Sequence, residues 1–173
     1  MKKALISVSD KKYLEKFAND LSDLGIEMIA TEGTAREISR NGIPVSHVSK
    51  LTGFSEMLGG RIKTLHPEVH AAIATGEITI VVVNLIPMRS IASMDIGGVA
   101  LLKSAIRNFR SVAAVTDPDQ YGDVIEDIRD KGSISPETRL DLAIRASAYI
   151  VEYESKAGKL LEEMRLDRES GTA

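Results

Sequence analysis

Short apolar runs alternate along the chain with stretches in which apolar residues recur at helical spacing. Ala4-Leu5-Ile6-Ser7-Val8 reads as a buried strand. It ends at Ser9-Asp10, where Asp10 is placed to cap a following helix. Leu14, Phe17, Leu21 and Leu24 then recur every three or four residues, and Gly25 stops that helix. Ile26 to Ala30 predicts a second strand, Thr31-Glu32-Gly33-Thr34 a turn, and Ala35 to Asn41 a helix closed by Gly42. Pro44 to Val48 predicts a short third strand, residues 51–65 are irregular, and Pro67 to Ala74 predicts a short helix. Ile78 to Leu85, a continuous β-branched run, suits the centre of a parallel sheet. Gly97-Gly98 opens a helix to about Phe109, Val112 to Thr116 is a strand, and Asp117-Pro118 starts another helix. Residues 136–165 are helix-like. Alternating strands and helices predict an α/β three-layer sandwich with a mainly parallel sheet.

At 173 residues, 43% hydrophobic and 27% charged, the chain has the make-up of one globular domain. The absence of cysteine removes disulfides, thiolate nucleophiles and cysteine-based metal sites. A net charge of −3 argues against general nucleic-acid binding but not against a locally positive pocket for an anion. The apolar run at Ala4–Val8 is too short for a signal peptide or a membrane span, so a cytoplasmic protein without membrane contact is expected.

In a parallel sheet, ligands sit beyond the carboxyl ends of the strands. Four loops qualify: Ser7 to Lys11, Thr31 to Thr34, Asn84 to Pro87, and Thr116 to Asp119. Ser7, Ser9 and Lys11 can offer two hydroxyls and an ammonium at a helix start, or can simply cap it. Thr31, Gly33 and Thr34 can wrap an anion, or form an ordinary turn. Gly59 to His70 (GGRIKTLHPEVH) sets Arg61, Lys63 and Thr64 between a glycine pair and a proline-started helix, an arrangement suited to a phosphate or a developing oxyanion. Asp95 directly precedes Gly97-Gly98, as a plain cap or as a carboxylate held at a helix start. His66 and His70 share a helix face, but no glutamate completes a zinc motif, and His47 reads as structural.

Seven ordered segments, from LISVSDK (5–11) and TEGTA (31–35) through VSKLTGFSEMLGGRIKTLHPEVHAAI (48–73), VVVNLIP (81–87) and MDIGGVALLKSAIRN (94–108) to AVTDPDQY (114–121) and SPETRLDLAIRASAY (135–149), carry a more specific signal. In these segments the chain resembles the IMP cyclohydrolase domain of the bifunctional purine-biosynthesis enzyme that also carries AICAR formyltransferase. The resemblance covers about residues 3 to 155. It implies a methylglyoxal-synthase-like fold for residues 1–155, with 156–173 as a charged helix or tail. The implied reaction is closure of FAICAR to IMP with loss of water, without metal or organic cofactor. The implied ligand is FAICAR or IMP, and a homodimer is compatible.

By the same resemblance, Ser7, Ser9, Lys11, Thr31, Gly33 and Thr34 would hold the ribose 5-phosphate, with Arg61, Lys63 and Thr64 around phosphate and base. Lys63 would stabilise the oxyanion with backbone N–H groups near Asn84-Leu85, Asp95 would take the carboxamide proton, and Gly97 would lie against the substrate. Two positions depart from the family's pattern. Ile86 stands where a functional tyrosine is usual, and Arg107 where a functional lysine is usual. Arginine keeps the charge but is a poor general acid. These departures leave open a slower enzyme, rearranged contacts, or a relative that binds a purine ribotide without turning it over. A phosphate-eliminating enzyme of the methylglyoxal synthase kind is a further alternative on the same fold, against which the long GGRIKTLHP and DIGG segments argue.

Overall fold

The computed structural model describes residues 2–54 and 63–169. Among these residues five strands, β1 (Lys3–Val8), β2 (Glu27–Ala30), β3 (Ser46–His47), β4 (Ile78–Asn84) and β5 (Ala113–Val115), form one sheet in the order β3-β2-β1-β4-β5. All four pairings are parallel. The chain therefore winds outward from β1 through β2 to β3, crosses back, and winds the other way through β4 to β5. The reversal falls between β1 and β4, where Val8 pairs with Asn84 at the carboxyl ends. A doubly wound sheet opens its ligand crevice at that point.

Among the described residues, seven α-helices cover the sheet: α1 (Leu14–Asp23), α2 (Glu32–Arg40), α3 (Val48–Thr52), α4 (Pro67–Ala74), α5 (Ile96–Arg107), α6 (Tyr121–Lys131) and α7 (Pro136–Glu169). One core cluster joins α1, α2 and α6 to one face of the sheet through Phe17, Leu21, Ile38 and Ile125. The other joins α4, α5 and α7 to the opposite face through Ile73, Leu101, Leu102 and Ile150. Alternate residues of β1 serve the two clusters, Ala4 and Ile6 one and Leu5 the other, as a strand's two-residue period requires. This is the three-layer α/β sandwich the pattern predicts.

The differences from the sequence reading are local. Asp10 does not cap a helix: its carboxylate accepts the Lys12 N–H within a turn, and α1 starts later, behind Tyr13 at φ 59°. The third strand shrinks to two residues, and α3 starts at Val48, where the strand was expected to end, and runs to Thr52 at the edge of the stretch expected to be irregular. The Asp117-Pro118 start is first a 3₁₀ turn, Pro118–Gln120, before α6 begins. α7 runs unbroken for 34 residues, so the boundary drawn at 155/156 falls inside one helix, and Ala157 and Leu160 beyond it still pack on the core. Among the described residues, no helix is long and apolar enough to cross a membrane.

Candidate active site at the strand-order reversal

A cleft of about 850 Å³ opens at the carboxyl ends of β1, β2 and β4. Most of the residues singled out in the sequence line it. At one end stand Ser7, Ser9, Lys11, Thr31, Gly33 and Thr34; at the other, Thr64, Asp95 and Gly97, with Lys63 and Asn84 also on the wall.

The first end is knitted by short polar contacts. Lys11 donates to the Val8 carbonyl and to the Thr34 hydroxyl, the latter at 2.9 Å. Thr34 is buried, accepts the Val8 N–H at 3.3 Å, and so ties β1 to the first turn of α2. Thr31 sits just before that turn and reaches Ser7 at 3.4 Å. Gly33, in the first turn of α2, is exposed with open space around the position a Cβ would take. First-turn N–H groups have no intrahelical acceptor, so this end presents donors and positive charge together. Burial pushes the Lys11 ammonium below its usual pKa; Glu37 opposes this, while the Lys63 charge pushes the same way. Two ammonium groups thus face one pocket, and an anion bound between them would relieve their repulsion.

Ser9 and Asn84 are engaged with each other. The Asn84 side-chain oxygen accepts the Ser9 N–H at 2.5 Å and the Asp10 N–H at 2.8 Å, and the Ser9 hydroxyl reaches the Leu85 carbonyl at 3.0 Å. This pair fixes the ends of β1 and β4 against each other while still lining the cleft.

At the other end Asp95 caps α5. One carboxylate oxygen accepts the Gly98 N–H at 2.8 Å, and the other accepts the Ile86 N–H at 3.2 Å. The glycine pair is required by close approach. A Cβ on Gly97 would lie 2.8 Å from the Thr64 hydroxyl, and one on Gly98 would lie 2.6 Å from both the Asp95 carboxylate and the Leu85 side chain. The buried Thr64 and the capping Asp95 therefore crowd one helix start, and only Gly-Gly leaves room for both. Ile96 and Gly97 supply two further N–H groups without intrahelical acceptors.

Two assigned residues stand elsewhere. Leu85 is buried beneath the cleft, and its N–H donates to the Tyr149 hydroxyl at 3.0 Å. Together with the Ile86 N–H spent on Asp95, this removes the Leu85 backbone donor assigned to the oxyanion. Arg107 is exposed at the far end of α5. A helix rises about 1.5 Å per residue, so Arg107 lies about 18 Å along the axis from Asp95. That is out of reach of the same reacting atoms within one chain. Arg61 lies outside the described residues. The fourth candidate loop also stays out of the cleft: Asp117 accepts the Asp119 N–H at 2.8 Å and Lys12 pairs with Asp119.

The histidines take separate structural parts. His47 contacts Glu32 at 2.8 Å, His66 accepts the Glu68 N–H at the start of α4, and His70 meets Ser104 at 2.7 Å. Burial lowers the His70 pKa, which favours the neutral ring. Among the described residues, no group of three histidine or carboxylate side chains is arranged for a metal ion.

Two residues of the site's frame were not singled out by their sequence. Tyr149 and Tyr153 lie on α7; the first holds Leu85, and the second accepts the Asp95 N–H at 2.8 Å and donates to the Ile86 carbonyl at 3.0 Å. Their spacing of four on a helical stretch was a usable signal of a shared face, but nothing local says what that face meets.

The MGS-like domain family matches residues 13–109, and the AICARFT/IMPCHase bienzyme family matches residues 105–172. The chain is 38% identical over 189 residues to the bifunctional purine biosynthesis protein PurH of Persephonella marina, and 39% identical over 185 residues to that of Elusimicrobium minutum. These alignments cover 94% and 90% of this chain, but only 37% and 36% of the relatives. The chain thus spans little more than a third of the length of the curated relatives it matches. Among solved structures, the crystal structure of ForH superposes with a TM-score of 0.82 at 31% identity, covering 92% of this chain and 98% of ForH. The chain belongs to the MGS-like domain family, and its carboxyl-terminal part matches the AICARFT/IMPCHase bienzyme.

Proposed function

We propose that this chain is an IMP cyclohydrolase, closing FAICAR to IMP with loss of water. One observation carries the reading: a single cleft holds a cationic, hydroxyl-rich end around Lys11 and a carboxylate at a glycine-opened helix start, with Lys63 on its wall. A ribotide has the matching polarity, a phosphate at one end and a reacting heterocycle at the other. The similarity to proteins named for purine biosynthesis and to the AICARFT/IMPCHase bienzyme supports the same assignment.

The reaction joins the carboxamide nitrogen to the formyl carbon of the same molecule. Its main demand is alignment of the two groups, which binding at both ends of the cleft supplies. As the N–C bond forms, the formyl oxygen takes up the electron pair. Lys63 and the Ile96 and Gly97 N–H groups are the donors to that oxygen, replacing the Leu85 N–H held by Tyr149. The Asp95 carboxylate takes the carboxamide proton. Asp95 passes that proton to the oxygen, the C–O bond breaks, and the hydroxyl leaves as water with the proton of the former formamide nitrogen; the C=N bond formed in its place makes the ring aromatic.

Ile86 is half exposed in the cleft, at the position where the resembling family carries a tyrosine. A phenol at that point is absent, which favours slow turnover or, as the second reading, ribotide binding alone. Incubation of the purified chain with FAICAR, followed by chromatographic detection of IMP, separates the two. The expected outcome is IMP formation by the parent and its loss in Asp95→Asn, with IMP binding retained. A folded parent that binds IMP and never forms it overturns the enzymatic reading in favour of the second.

A further inference from the structure

Asp95 and Ile86 belong to different elements, yet they are joined by a closed ring of hydrogen bonds. The Ile86 N–H donates to the Asp95 carboxylate at 3.2 Å. The Asp95 N–H donates to the Tyr153 hydroxyl at 2.8 Å. That hydroxyl in turn donates to the Ile86 carbonyl at 3.0 Å. A hydroxyl has one proton and two lone pairs, and here one phenol accepts from one backbone group and donates to the other. Tyr153 is buried, and it projects from α7, which packs on α5 and on β5. Burial raises the Tyr153 pKa, partly opposed by the Asp95 N–H bond, so the hydroxyl keeps the proton it donates. Four residues away on the same helix, Tyr149 holds the Leu85 N–H. Neither tyrosine lines the cleft, so neither touches a ligand bound there.

We propose that Tyr153 is a positioning residue that aims the Asp95 carboxylate through this ring. The proposal rests on the cyclohydrolase reading for its effect on rate, but not for its effect on the carboxylate's place. Without the phenol oxygen, the Asp95 N–H and the Ile86 carbonyl both lose their partner, and the segment bearing Ile86 is freed to shift against the start of α5. The carboxylate is held on one side by Ile86, so it shifts as well. Displacements of about 1 Å in a reacting site cost on the order of a hundredfold in rate. Tyr149 fixes the same segment one residue earlier, so the shift is confined to Ile86 and the start of α5 while β4 stays in place.

The test is Tyr153→Phe, which keeps the ring that packs in the core and removes only the oxygen. With FAICAR, kcat is expected to fall at least about tenfold, with KM within about twofold because the phosphate end is untouched. Amide hydrogen exchange on the unliganded protein gives a second readout that does not depend on turnover. The Ile86 N–H bonds the Asp95 carboxylate and not Tyr153, so exchange there reports on the link between Ile86 and the carboxylate. It is expected to speed up at least about tenfold in Tyr153→Phe, while amides of Val81 to Val83 in β4 stay as in the parent. Tyr149→Phe serves as a comparison, expected to leave the Asp95 N–H protected. Unchanged kcat in Tyr153→Phe overturns the proposal, and so does unchanged exchange at Ile86. Faster exchange across β4 as well means general loosening, and also overturns it. If the parent itself forms no IMP, the cyclohydrolase reading fails separately, and exchange at Ile86 decides the positioning role.

Discussion

Replacing Gly98 by alanine is the sharpest probe of the site's construction, because one methyl group must displace either of two neighbours. The added Cβ would lie 2.6 Å from an Asp95 carboxylate oxygen, 2.6 Å from a Leu85 methyl and 2.9 Å from the Asp95 carboxyl carbon. Leu85 is only 3% exposed and packs in the core, so it has little room to retreat. Asp95 is the side that can give, and moving it breaks its bonds to the Gly98 and Ile86 N–H groups. Loss of an N-cap costs about 1 kcal/mol, and forced overpacking about 1–3 kcal/mol. The better helix propensity of alanine offsets about 1 kcal/mol of this. The net destabilisation is about 1–3 kcal/mol, which lowers Tm by roughly 2–12 °C in a domain of this size. Gly158→Ala is the matched control. Gly158 lies inside α7, exposed, with nothing near the added Cβ, so the same substitution should stabilise by about 0.5–1 kcal/mol. Both are read by thermal and urea unfolding, with FAICAR turnover measured beside them. Gly98→Ala should lose activity by more than its unfolded fraction explains, since the carboxylate itself is moved. A Gly98→Ala protein that melts at or above the parent, while Gly158→Ala gains stability, would refute the crowding argument.

Lys63→Ala should lower kcat about tenfold to a thousandfold with a smaller effect on ribotide binding, because oxyanion donors act chiefly in the transition state; equal turnover removes Lys63 from the chemistry. Asp127 is buried on α6, and burial alone would raise its pKa. Hydrogen bonds from Lys131, Thr138 and Ser135 outweigh that and hold the carboxyl well below its usual range. Its folded pKa is thus below its unfolded value of about 3.9, so its contribution is full above that pH and fades as pH falls below it. Urea unfolding from pH 7 to pH 3 should therefore show a smaller acid loss in Asp127→Asn than in the parent, and parallel curves would contradict this. The Tyr121 hydroxyl is buried with no hydrogen-bond partner among the described residues, while its ring stacks on Phe17 at 4.1 Å. Tyr121→Phe should leave stability unchanged or raise it by about 1 kcal/mol, and a marked drop in Tm would show that the hydroxyl has a partner.

Much of this architecture is legible in the residues because the signals are local. A short, continuous, β-branched run such as Ile78 to Asn84 suits a strand buried on both faces, and Leu14, Phe17 and Leu21 recur at the spacing of one helix face. Glycine and proline mark the element ends, so three of the four loops expected at the crevice are found there: those after β1, β2 and β4. Asp95 before Gly97-Gly98 likewise reads as a helix start, since a cap and its helix are neighbours in the chain. What the sequence left open depends on directions and on distant partners. Hydrophobic periodicity does not fix strand order, so the β1–β4 reversal, and the exclusion of the loop at Asp117, appear only in the folded sheet. Arg107 sits in a motif with Asp95, but a straight helix carries the two apart at a fixed rise per residue. The Leu85 N–H looked available until Tyr149, 64 residues away, was found to hold it. Tyr149 closes the last of the matched segments and Tyr153 lies beyond it, yet neither signals its role, because that role comes from where α7 lands on the sheet, and this is decided by core packing rather than by their neighbours in the chain.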